Sequence, residues 1–233
     1  RLLSDVLDKH VDEIAAKLGS LGWAGAEHVK RNLTAREIKT ELEEVLQFIR
    51  GCALEGPPIT VLLWFSGHGL TFFGTQFLLG VDALHHCVGV PWVEIQKMLD
   101  VRGPGGRPVR IIALLSACRS PNHSPDGCCW LHYALSLCRW RCCLKRAHRV
   151  ARQTDPGSLV AWACSEGSEA APGVMSNVFA EQLQGGEHGL QNILNELRTR
   201  GPALCMDMGA EPQAVDIHDN LRERNFSFDV RCH

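Results

Sequence analysis

Two short segments of this 233-residue chain carry the makings of nucleophilic chemistry, Ser66-Gly67-His68-Gly69 and Ser116-Ala117-Cys118-Arg119-Ser120. A thiolate attacks carbonyl carbon well, and a nearby imidazole both promotes its ionisation and protonates a leaving amine. Glycines beside the histidine let a substrate carbonyl approach the backbone, where the amides of Gly69 and Cys118 are candidate oxyanion donors. Taken singly, Cys118 reads more readily as a buried structural thiol and His68 as a satisfied loop histidine. Their common setting reverses that judgement. Each follows a short apolar run, residues 59–65 and 109–115, that reads as a buried parallel strand. In open parallel sheets reactive groups collect just beyond the carboxyl ends of strands.

Around these strands the pattern alternates. Leu3, Val6, Leu7, Val11, Ile14, Ala15 and Leu18 recur at helical spacing, with Gly19 placed as a C-terminal cap. Thr34-Ala35-Arg36-Glu37 is a capping box ahead of a helix whose apolar face holds Ile38, Leu42, Val45, Leu46 and Ile49. Phe72-Phe73 and Phe77-Leu78-Leu79, split by Gly74-Thr75, predict a hairpin. Val90-Pro91 is expected to open a third helix, carrying Trp92, Ile95 and Leu99. A third buried strand is expected over 159–163, with helices over 177–183 and 190–200. Strands alternating with helices argue an α/β sheet covered on both faces.

Composition bounds the function. Hydrophobic residues make up 45% and charged residues 21%, which excludes a disordered chain. A net charge of −2, from 24 Lys+Arg against 26 Asp+Glu, gives no global field for nucleic acid. No window has the length of uncharged apolar sequence that a membrane span needs. The 11 cysteines are odd in number and scattered through apolar runs, which favours reduced thiols and a cytoplasmic setting over secreted disulfides.

An Ala-Cys-Arg core with a histidine about 50 residues upstream is a known signature of the caspases. The chain resembles the caspase-like cysteine peptidases, nearest their paracaspase and metacaspase branches. Ser66-Gly67-His68-Gly69 matches the family's histidine motif and Ala117-Cys118-Arg119 its nucleophile motif. Residues 163–170 look like the loop lining the substrate cleft, and Asn177-Val178-Phe179 like the start of the helix after it. Asn32-Leu33-Thr34 and Gly80-Val81-Asp82-Ala83 also fall where the family carries similar residues.

The resemblance implies a caspase-like three-layer α/β/α sandwich with a mostly parallel central sheet. It also implies a cysteine endopeptidase with His68 as base and acid and Cys118 as nucleophile. Protein or peptide substrates follow, with no cofactor or metal. Where metacaspases and paracaspases place an aspartate for a P1 Arg or Lys, this chain has Ser116, so basic specificity is expected to weaken. Ser165 and Glu169 are further candidates for contact with substrate, and Glu166 is an alternative carboxylate. The family's first strand, normally ahead of the helix at 3–18, is absent, which suggests a missing start.

One peptidase domain is expected over 1–233: a nucleophile-bearing part (1–127), a linker (128–154) and a small-subunit-like part (155–233). The linker carries Arg139, Arg141, Lys145, Arg146, Arg149 and Arg152 with no acid, and Cys128, Cys129, Cys138, Cys142 and Cys143. Adjacent cysteine pairs lack the two-residue gap of zinc ligands, so a metal site there is not expected. His85-His86-Cys87 reads as a loop. The competing reading is a catalytically silent caspase homologue acting as a scaffold, favoured by Ser116 and the missing strand and opposed by the intact Cys-His pair.

Overall fold

The computed structural model describes residues 3–23, 29–52, 59–72, 74–83, 89–99, 109–119, 157–186, 188–219, 221 and 226–228. The basic cysteine-rich stretch and His85-His86-Cys87 lie outside them.

Helix α1 (Leu3–Ser20) does not end at Gly19 as expected. The left-handed residue is Gly22, at φ 93°. Gly22 N–H bonds Gly19 O at 3.1 Å and Trp23 N–H bonds Leu18 O at 3.1 Å, the pairing of a Schellman cap. Helix α2 (Ala35–Gly51) starts on the expected capping box, Thr34 and Glu37 exchanging side-chain and backbone bonds.

Four strands form the main sheet in the order β1 (Ile59–Ser66), β5 (Val109–Ser116), β6 (Ser158–Trp162), β7 (Asp216–Asp219). The first three are parallel and β7 runs antiparallel. Alternation along β5 and β6 splits the core. Ile112, Leu114, Leu159 and Ala161 pack with α1, α4 (Val174–Gln184) and α5 (Leu190–Asp207), and Phe228 closes that layer. Ala113, Leu115, Val160 and Trp162 face the other way, onto α2 and α3 (Trp92–Leu99). Both faces are therefore covered by helices, which is the expected sandwich. The side chains of β1 are all half-buried where those of β6 are all buried, and no strand lies on the outer side of β1 among the described residues.

A smaller sheet rides on the carboxyl end of β1, with β2 (Gly69–Phe72), β3 (Thr75–Leu79) and β4 (Gly89–Pro91) all antiparallel. The hairpin is as expected, but Val90 and Pro91 belong to β4 and the helix begins only at Trp92. Pro91 ends a strand paired on one side with Phe77, a position where its missing N–H costs nothing.

The two minor motifs turn out to be one joint. Asp82 Oδ1 accepts the Ala35 N–H at 3.0 Å, and Val81 N–H bonds Leu33 O at 2.9 Å. A Cβ on Gly80 would lie 2.3 Å from Ala35 N, so the backbone itself excludes any side chain there. Asp82 thus caps the start of α2 and ties it to the end of β3.

Candidate active site

The register of β1 and β5 sets the geometry. Ser66 pairs with Ser116, and Gly67 N–H then bonds Ser116 O at 3.1 Å. His68 and Cys118 each stand two residues past those partners, beyond the carboxyl ends of neighbouring strands. The 50-residue spacing is the strand register continued into the loops.

His68 is exposed, and its carbonyl accepts the Leu79 N–H at 2.9 Å. Successive residues of a strand point their backbone groups to opposite sides, so the Gly69 N–H faces away from β3 and stays out of the ladder. Gly69 itself is pressed onto the nucleophile loop. A Cβ there would sit 2.5 Å from Cys118 O and 3.1 Å from Ala117 Cβ.

Cys118 is half-buried, and its sulfur accepts the Ala170 N–H at 3.4 Å. Burial pushes the thiol pKa up and the Glu169 carboxylate adds to the rise; the amides of Ala170 and of Cys118 itself oppose it. A raised pKa favours the thiol over the thiolate, so chemistry at this sulfur would call on a base. Among the described residues no hydrogen bond joins the imidazole to the thiol, a looseness common in sites without substrate.

The third wall is the loop after β6, placed by Ala163 N–H on Leu115 O at 3.0 Å. It grips the residue after Cys118 twice: Arg119 N–H bonds Ser168 O at 2.9 Å, and Gly167 N–H bonds Arg119 O at 3.1 Å. The Arg119 guanidinium lies 5.0 Å over the Trp162 ring and is paired with Asp216 of β7. Burial works against the Asp216 charge, but the Arg119 hydrogen bond and the charges of His218 and Arg119 outweigh it and hold the carboxyl below its ordinary range.

Cys164, beside this loop, differs from Cys118. Its thiol is buried, donates toward Ser168 O and Ala117 O at 3.3 and 3.5 Å, and is pushed up to about 11, chiefly by burial. It is a poor nucleophile.

The other candidates separate. Ser116 is 6% exposed, lying under the level of the thiol. Ser165 donates to Ala214 O at 3.3 Å, on the side of the 210–215 segment. Glu169 is exposed and close enough to act on the Cys118 thiol. No cluster of three His, Cys, Asp or Glu able to hold a metal occurs among the described residues. No described helix is long and apolar enough to cross a membrane. The sequence reading missed three contributors: the Ala170 amide, the Asp216 partner of Arg119, and Thr71 with Gln76. Only the last pair left a signal, as two polar residues facing each other across the hairpin.

This arrangement is a three-layer α/β/α sheet with a histidine loop and a cysteine loop on adjacent parallel strands. The family model of the caspase domain matches residues 7–201. The chain belongs to the caspase-domain family, whose members are typically cysteine peptidases. The crystal structure of caspase-1 from Spodoptera frugiperda is similar in fold, with a TM-score of 0.60 at 15% identity, covering 98% of this chain and 82% of that one. No curated protein sequence matches the chain.

Proposed function

We propose that this chain is a cysteine endopeptidase working through a His68–Cys118 dyad. The observation that supports the reading is that His68 and Cys118 each follow by two residues the paired Ser66 and Ser116 of neighbouring parallel strands, with Gly69 against Cys118 O. The sulfur attacks the scissile carbonyl carbon, forming the S–C bond, while the thiol proton passes to His68. The oxyanion that results takes the amides of Gly69 and Cys118. His68 then returns the proton to the leaving nitrogen as the C–N bond breaks, leaving an acyl-enzyme. Water attacks the thioester, gives its proton to His68, and expels the sulfur, which regains the proton.

Arg or Lys at P1 is the expected but weak preference. Ser116 offers a hydroxyl and no charge, and the exposed Glu169 is a carboxylate that acts on the Cys118 thiol. Replacing Ser116 by Asp is expected to raise the preference for Arg at P1 by ~10- to 100-fold, the worth of a charge-assisted bond over a neutral one. A P1-varied peptide library run on both forms checks this. Strong Arg selectivity that Ser116→Asp leaves unchanged would move the recognition to another carboxylate.

The basic 128–154 stretch stands where caspase relatives are cut, so it is the proposed activation linker. A scaffold role uses the same fold without chemistry at Cys118, and covalent labelling separates the two.

A further inference from the structure

The hairpin that carries His68 does more than present it. Thr71 and Gln76 are cross-strand partners in β2 and β3. Because the Leu79–His68 bond makes Gly69–Leu78 a non-hydrogen-bonded pair, Thr71–Gln76 is one as well, the kind in which opposed side chains stand closest. Both then project on the face that Gly69 turns toward Cys118 O. Gln76 Nε2 donates to Cys118 O at 2.9 Å. The Thr71 hydroxyl lies 2.7 Å from Arg119 O and 2.8 Å from Gln76 Oε1, two acceptors sharing its one proton. That contact fixes which end of the Gln76 amide faces Cys118.

The consequence is a nucleophile backbone held from two sides. The peptide joining Cys118 to Arg119 has its oxygen on Gln76 and its N–H on Ser168 O. The next carbonyl is held by Thr71 and by Gly167 N–H. A loop after a strand end would otherwise be free to turn, and with it the thiol.

We propose that Thr71 and Gln76 are positioning residues, a polar clamp that locks the Cys118 and Arg119 carbonyls to the hairpin and so fixes the thiol relative to His68 and the Gly69 amide. The inference rests on the peptidase reading, which it deepens. The clamp touches neither substrate nor reacting atoms.

The test uses Gln76→Met, which keeps the length of the side chain and removes the donor to Cys118 O without adding a charge beside the thiol, together with Thr71→Val and Thr71→Ser. Two rates are measured on the full chain: peptide hydrolysis, and iodoacetamide alkylation of Cys118 followed by mass spectrometry of its peptide. Thermal melting shows that each variant is folded. Alkylation needs only the thiolate and access, whereas hydrolysis needs the assembled geometry. Freeing the loop relieves the burial that raises the Cys118 pKa, so alkylation is expected to quicken by about threefold or more. Hydrolysis is expected to fall on the order of tenfold or more in kcat, with KM little changed. Thr71→Ser keeps the hydroxyl and should behave as the parent. Alkylation unchanged in folded Gln76→Met and Thr71→Val overturns the clamp, whatever happens to hydrolysis, as does quickened alkylation with kcat intact. A parent that does not hydrolyse peptides, beside variants whose alkylation quickens, overturns the peptidase reading and leaves the clamp as the device that holds Cys118.

Discussion

Cys118→Ala is expected to abolish peptide hydrolysis, and His68→Ala to lower kcat/KM on the order of 10³-fold or more, since the base and the acid are lost together. The raised thiol pKa makes the histidine term large. A thiolate already formed at rest would keep attacking without its base, whereas a half-buried thiol beside Glu169 would not. The two substitutions together should cost no more than Cys118→Ala alone, because both remove the same step. Cys164 offers no substitute, since its thiol is held by two carbonyls and pushed up to about 11. Full activity remaining in Cys118→Ala would place the chemistry elsewhere. The assay is hydrolysis of a fluorogenic peptide at matched protein concentration.

Gly69→Ala is expected to lower kcat/KM by roughly 10²-fold, the size of effect that an ångström of misplacement produces. Its Cβ would stand 2.5 Å from Cys118 O, a backbone atom that no side-chain rotation can move aside. Either the hairpin lifts from the nucleophile loop or the Cys118 peptide turns, and both separate His68 from the thiol. Gly67→Ala is the useful contrast, because its added Cβ meets only the ring of Phe65, at 3.1 Å. The loss should therefore be much smaller at Gly67 than at Gly69, read as kcat/KM with thermal melting to show both variants folded.

The fold was legible where one side of an element is buried against another. The two runs ending at Ser66 and Ser116 are strands at nearly the expected bounds, because continuous apolar sequence has one stable home, inside a parallel sheet. Asp216-Ile217-His218-Asp219 escaped notice because β7 is an antiparallel edge strand, held mainly by backbone bonds to β6 and carrying one apolar residue. Helix α5 runs on to Asp207 through Pro202, past the expected end at Arg200, and α4 begins at Val174, ahead of Asn177. Caps mislead in the same way: Gly19 was the nearest glycine, but the chain turns left-handed only at Gly22. Of the site, His68, Gly69 and Cys118 were readable because motif and strand end coincide. The contacts that hold them were not, since Gln76 reaches Cys118 O across 42 positions and Asp216 reaches Arg119 across 97. Tertiary partners of a backbone carbonyl leave no periodicity in the sequence.

The most direct measurement of the central claim is covalent labelling of the full chain with a peptidyl acyloxymethyl ketone, read by intact mass and by fragmentation of the labelled peptide. The reagent carries a peptide into the cleft and traps the sulfur that attacks its carbonyl-bearing carbon. The dyad predicts one adduct, on Cys118, formed slowly or not at all in His68→Ala and blocked by competing peptide substrate. A chain that stays unlabelled while its Cys118 still reacts with iodoacetamide, or one labelled at Cys164 or Cys205 instead, would contradict the assignment and leave the caspase fold here as a scaffold.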